Sequence, residues 1–235
     1  MAKNILILAQ YEVDYMYGNT SKEDYKQLTM KCCDSFMRNL KDIDEIIILT
    51  GKKGTYHELF KEIYWKIKDI YGRNSPCNIL WTDSDNICLR PLEIFDKFDK
   101  FAMFYSIEQY RTAFVDQTCL KLVENLSPWM MANLRYYPAH NMTMLFWDVA
   151  YKLATNWIED WAYETIIYNA MFHAQGITDY NQFIKPEWNV QGEGDLNSIT
   201  KDLVKDAVVL HCHSTRNSGI VIQKMEKAQQ LVKEG

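Results

Sequence analysis

The 235-residue chain has only nine glycines and five prolines, too few for a linker-rich, fibrous or low-complexity protein. No apolar run approaches the roughly 18 consecutive residues that a membrane-spanning helix needs. Residues 1–9 carry one basic side chain and an apolar stretch too short for the core of a secretory signal, so a strand is expected there. The six cysteines show no Cys-x-x-Cys pair and no framework spacing, which argues against a disulfide scaffold. Cys32, Cys33, Cys77, Cys88, Cys119 and Cys212 are expected to be reduced, mostly buried small hydrophobes. Clusters of basic residues are missing too. With 26 Lys and Arg against 31 Asp and Glu, net charge -5, the chain has no track for a phosphate backbone, and no nucleic-acid partner is expected. What is present is 48% hydrophobic and 24% charged, with 15 tyrosines and seven tryptophans. That composition suits one large globular domain, expected to be soluble and cytoplasmic.

The first hundred residues alternate between two periods. Residues 4–9 form an apolar run of the kind buried on both faces of a parallel sheet. Tyr25, Leu28, Cys32, Phe36 and Leu40 then recur at helical spacing, with Ser21 and Asp24 resembling a capping box. A β-branched run at 45–50 precedes an expected turn at 51–54. A second helix should start with Thr55 as its cap and Glu58 three residues on, and stop in Gly72-Arg73-Asn74-Ser75-Pro76. Strands are expected at 78–82 and 101–105. This order predicts a Rossmann-like α/β domain with a mostly parallel central sheet and flanking helices. The second half is less regular. Helices are expected at 112–124, 149–161, 164–174 and 221–233, and strands at 142–147 and 207–211. One domain, 1–235, is expected, with a nucleotide-type half, 1–105, and a less regular half, 106–235.

The densest chemistry follows the third strand, at Trp81-Thr82-Asp83-Ser84-Asp85-Asn86. In extended backbone, i and i+2 side chains share a face, so Asp83 and Asp85 could converge on one ion. Ligands of open α/β sheets gather at the carboxyl ends of strands, where this pair falls. The same residue types also favour turns. Far away, Val208-Val209-Leu210-His211-Cys212-His213 ends a strand with two histidines on one face. A zinc site using Cys212 as well is disfavoured, since adjacent strand residues point apart. Two carboxylates and an imidazole suit Mn²⁺ or Mg²⁺, with ligand phosphates completing the shell.

These motifs resemble a GT-A-fold, metal-dependent glycosyltransferase of the glycogenin-like and lipopolysaccharide-galactosyltransferase-like group. The Asp83-Ser84-Asp85 segment matches the group's Asp-x-Asp, and residues 141–146 stand where it has an Asn-x-Gly strand. Glu164 and Asn169 match its acid-to-Asn spacing, and His211 its late metal ligand. Thr143 replaces the group's Gly, Glu164 its Asp, and Ser214 and Asn217 its late Gly and Lys. A register starting from His213 would move the late assignments by two residues.

The resemblance implies transfer of a sugar from a nucleoside diphosphate sugar, a UDP-sugar favoured, to a glycan or other hydroxyl acceptor, with retention of configuration. It implies Mn²⁺ or Mg²⁺ held by Asp83, Asp85 and His211. Arg216 stands for the diphosphate, and Ala9, Tyr11, Tyr15, Asp83, Ser84 and Asn189 for the donor nucleotide and sugar. Glu164 and Asn141 stand at the reacting centre. The aromatic stretch 129–137 is either part of an acceptor wall or core filling. Two other classes remain open: a haloacid-dehalogenase-like phosphohydrolase, whose Asp-x-Asp normally follows the first strand, and a nucleotide-sugar binder without turnover.

Overall fold

A computed structural model describes residues 2–13, 22–105, 126–139, 148, 152, 161–213 and 218–234. The apolar run predicted at the start is a longer strand, β1 (Lys3–Val13), in which Ile5, Leu6, Ile7 and Leu8 are completely buried. It is the middle of a parallel trio with β2 (Glu45–Lys53) and β3 (Cys77–Thr82). The turn expected at 51–54 forms later than predicted. The strand runs on through Lys53 because Gly51, Lys52 and Lys53 stay in register with Tyr11, Glu12 and Val13. No side chain fits at Gly51, where a Cβ would lie 2.5 Å from Cε1 of Tyr11.

Two helices make the crossovers, α1 (Lys22–Asn39) and α2 (Tyr56–Arg73). Thr55 caps α2 as predicted. Its hydroxyl accepts from Glu58 N–H at 3.2 Å and the Glu58 carboxylate accepts from Thr55 N–H at 3.1 Å. Of the apolar stripe Leu59, Phe60, Ile63, Tyr64, Ile67, Ile70 and Tyr71 that the sequence predicts for this helix, all are buried but Ile63, which is half-buried against the core.

Beyond β3 the chain makes a strand that the sequence did not announce, β4 (Asn86–Cys88), and then β5 (Ala102–Met103), shorter than expected. The aromatic stretch 129–137 supplies β6 (Leu134–Tyr137). Trp129, Met130, Leu134, Tyr136 and Tyr137 are all buried, so this stretch fills the core. The large sheet has the order β2-β1-β3-β6-β5, with β6 antiparallel to both its neighbours. Four of its five strands therefore run the same way, the mixed α/β architecture expected.

A smaller sheet, β4-β8-β7, joins β4 to β7 (Val190–Gln191) and β8 (Val209–His211). The helix predicted at 164–174 is α3 (Trp161–Ala174). A single turn, α4 (Lys201–Val204), precedes β8, and α5 (Ser218–Lys233) packs against α1. The expected elements at 112–124, 142–147 and 149–161, and the Ser21 cap, lie outside the described residues or largely so. Cys32, Cys33, Cys77, Cys88 and Cys212 are free and buried; Cys119 is outside. No helix among the described residues is long and apolar enough to cross a membrane.

Since β1 leads outward to β2 and the chain then returns across it to β3, the crossovers α1 and α2 diverge beyond the β1 and β3 carboxyl ends. Such a switch point leaves a crevice there.

Candidate metal and nucleotide site

At the carboxyl end of β3 stands the Asp83-Ser84-Asp85 segment. It is not a continuation of β3: Asp83 C=O accepts from Asn86 N–H at 3.2 Å, closing a turn. The extended-chain argument for converging Asp83 and Asp85 is thus replaced by a tight bend, needed because the chain must leave one sheet for the other. Ser84 pins the bend. Its hydroxyl donates to the carbonyl of Ala9 at 2.6 Å and accepts from Thr29 Oγ1 at 3.3 Å, tying the turn to the end of β1 and to α1.

The turn delivers β4 directly to β8. Asn86 pairs with His211 in antiparallel register, and Cys212 N–H donates to Asp85 C=O at 2.8 Å. His211 Nε2 consequently lies 3.2 Å from Asp85 Oδ2. His213, two residues on and just past the end of β8, brings its ring centroid to 5.4 Å from that of His211. One ligand atom from each of Asp85, His211 and His213 lies within 4.8 Å of the other two. A carboxylate oxygen and two imidazole nitrogens are a donor set suited to Mn²⁺, Fe²⁺, Co²⁺ or Zn²⁺. The residues present therefore fit a divalent cation, with His213 beside His211 rather than in place of it.

Charges are strongly coupled here. Burial works against ionised Asp85, yet the charge and hydrogen bond of His211 hold its carboxyl below the usual carboxylate range. Burial likewise opposes charge on His211, and Asp85 overcomes it, raising the imidazole above its ordinary value. Desolvation and the neighbouring His211 charge pull His213 down.

Asp83 faces another way. Its Oδ1 accepts from Trp81 Nε1 at 2.9 Å, and desolvation pushes its carboxyl up to about 6, opposed by the charge of Arg135. Arg135, on β6 opposite Trp81, is 2% exposed. Its guanidinium lies 4.8 Å from the Trp81 ring centre and 4.1 Å from that of Tyr168, a cation held in an aromatic slot. Sequence reasoning missed Arg135, although an arginine inside the apolar run Leu134-Arg135-Tyr136-Tyr137 was a visible signal.

Of the other predicted residues, Ala9 meets the 83–86 turn through its carbonyl, which accepts from Ser84. Tyr11 turns away from it, its ring over Gly51 and its hydroxyl donating to Glu62 Oε1 at 3.0 Å on α2. Asn189 is fully buried, hydrogen-bonded to Asn133 and Gln191 rather than facing the crevice. Asn169 of α3 brackets Met130, accepting from its N–H at 2.7 Å and donating to its C=O at 2.9 Å. Glu164 belongs to α3, and its side chain lies outside the described atoms, as do Tyr15, Asn141 and Arg216 entirely. Asn133, Gln191 and Lys224 were also missed. The buried Lys224 ammonium donates to Gly192 C=O at 2.8 Å and to His213 C=O at 2.7 Å, fastening the ends of β7 and β8.

The fold is shared with solved glycosyltransferases. A glycosyltransferase involved in the glycosylation of the major capsid of PBCV-1 superposes over 94% of this chain and 98% of its own, with a TM-score of 0.54 at 14% identity. The apo structure of the bifunctional glycosyltransferase WbbM superposes over 99% of this chain, with a TM-score of 0.59 at 11% identity. The match spans 51% of WbbM, so this chain corresponds to about half of that protein. No protein-family model and no curated protein matches the sequence.

Proposed function

We propose that this chain is a divalent-metal-dependent glycosyltransferase that moves a sugar from a nucleoside diphosphate sugar, with a UDP-sugar favoured, to a hydroxyl acceptor. The observation that carries the reading is the Asp85–His211–His213 cluster, its first two members buried and His213 half-buried, in a fold shared with glycosyltransferases. Asp85 and the two histidines would hold Mn²⁺ or a related cation. Bound there, the ion supplies Lewis-acid stabilisation of the departing diphosphate.

The remaining chemistry belongs to the chain itself. The bond from the anomeric carbon to the diphosphate oxygen breaks, and the acceptor oxygen bonds to that carbon. The acceptor's proton passes to the diphosphate oxygen it replaces. Attack from the face the diphosphate leaves retains configuration and requires no strong base, which agrees with a crevice whose nearest acids, Asp83 and Asp85, are engaged with Trp81 and His211. By the family resemblance, Asp83 is assigned to the ribose hydroxyls and Arg216 to the diphosphate. Preorganised charge of this kind is worth several kcal/mol where water is excluded.

The test is the melting temperature of wild type and Asp85→Asn with UDP, GDP, CMP and ADP, each with and without Mn²⁺. One nucleotide should stabilise wild type only when Mn²⁺ is present, by about 2–3 kcal/mol near 100 times its Kd. Asp85→Asn should lose that shift. Absence of any metal-dependent shift would overturn the reading. Binding without slow hydrolysis of any donor sugar would favour the non-catalytic binder, and release of phosphate from simple monoesters the phosphohydrolase.

A further inference from the structure

Behind His211 runs a chain of amides, three buried and the last, Gln191, half-buried, whose polarity is anchored at one end. Asn86 Nδ2 donates to the backbone carbonyl of Asn133 at 2.8 Å, and a carbonyl can only accept. This fixes which end of the Asn86 amide is oxygen. Its Oδ1 accepts from Asn133 Nδ2 at 3.1 Å. Asn133 Oδ1 then accepts from Asn189 Nδ2 at 2.8 Å, and Asn189 Oδ1 accepts from Gln191 Nε2 at 3.1 Å. Gln191 is left presenting Oε1 to His211 Nδ1 at 2.6 Å.

An amide oxygen cannot donate, so the proton of that short contact is on Nδ1. His211 Nε2 is thereby the nitrogen left to face Asp85 Oδ2 at 3.2 Å. In neutral His211, that arrangement sets a lone pair against a carboxylate oxygen, a pairing that a cation between them relieves. Strand register makes the contact: Gln191 pairs with His211 in the parallel β7–β8 ladder, where partner side chains share a face. Asn133, Asn189 and Asn86 are all buried at 3% exposure or less, so water does not compete for the bonds among these three.

Given the metal-binding reading above, on which this rests, we infer that Gln191 is a positioning residue that selects the Nδ1–H tautomer of His211 and turns Nε2 to the cation. Asn86, Asn133 and Asn189 fix the orientation of the Gln191 amide in turn. An imidazole ligand whose second nitrogen donates to a fixed acceptor is held in orientation and made a better base toward the metal.

The experiment compares wild type, Gln191→Met, Gln191→Glu, Asp85→Asn and His211→Gln as intact proteins. Mn²⁺ affinity is read from the free-ion electron paramagnetic resonance signal, and the unfolding temperature is measured in chelator. Gln191→Met, close in shape but without an acceptor, should weaken Mn²⁺ binding about 10–100-fold. Gln191→Glu keeps an acceptor and should stay within a few-fold of wild type. If Gln191→Met only lowers the metal-free melting temperature and binds Mn²⁺ as wild type does, the amide chain is structural and the inference fails. In that outcome Asp85→Asn and His211→Gln would still lose the ion, leaving the metal site standing. If wild type itself takes up no Mn²⁺, the metal reading and this inference fall together.

Discussion

The two sheets of the molecule solve opposite problems. The interior of the five-stranded sheet is mostly apolar, built from Ile5, Leu6, Ile7, Leu8, Ile79 and Leu80, with Asn4 and Asn78 at its amino-terminal rim and Arg135 and Thr82 buried toward the other end. The three-stranded sheet is short, two or three residues per strand, yet it buries Asn86 and His211, with Asn189 just before β7. Apolar burial contributes stability without needing exact partners, whereas each buried polar group costs free energy unless hydrogen-bonded. The large sheet therefore carries the fold, and the small one carries directed chemistry at a stability cost that its hydrogen bonds offset.

That division can be broken by experiment. Leu80→Ala in the large sheet should cost about 3–4 kcal/mol in urea unfolding through cavity formation, while leaving Mn²⁺ affinity unchanged. If it weakened Mn²⁺ binding as much as a His211 substitution does, the two sheets would not be separable units.

A smaller effect is expected where the sheets meet, at Asp83. Its folded-state carboxyl titrates at about 6, above the ordinary value of 3.8. Between those values the folded protein keeps a proton that the unfolded chain has lost, so the stability contributed by this group falls as pH rises through that window. In metal-free protein, Asp83→Asn should thus match wild type near pH 4 and exceed it above pH 6. The gain, discounted for partial exposure, is about 1 kcal/mol. Parallel stability curves from pH 4 to 8 would show that Asp83 carries no such penalty.

The smallest effect tests the large sheet's periphery. Thr55→Ala removes the hydroxyl half of the exposed α2 capping box and should cost about 0.5 kcal/mol in urea unfolding, with no change in Mn²⁺ affinity. A coupled loss of affinity would show that α2 reports on the site.

How far the sequence was legible follows the same divide. The α2 cap and stripe, the β1 core and the histidine pair were visible because they depend on neighbours one to four residues away. The turn at 84–85 was present only as an alternative, since Asp, Ser and Asn serve strands' ends and bends alike. Strand β4 was invisible: Asn86-Ile87-Cys88 is too short for any periodicity. Gln191 bore no mark at all, being one amide in a loop-like stretch.

By itself the sequence determined the α/β order of the first hundred residues, the capped start of α2 and the two clusters of acid and imidazole, because caps and hydrophobic periods are local physics. Helices α3 and α5 each begin three residues before their expected starts. Only the tertiary structure decided that Asp85 meets His211, residues 126 positions apart. It also decided that His213 joins them and that Gln191 stands behind. Those contacts depend on the β4–β8 and β7–β8 registers, and register is set by packing of the whole domain rather than by any segment read alone.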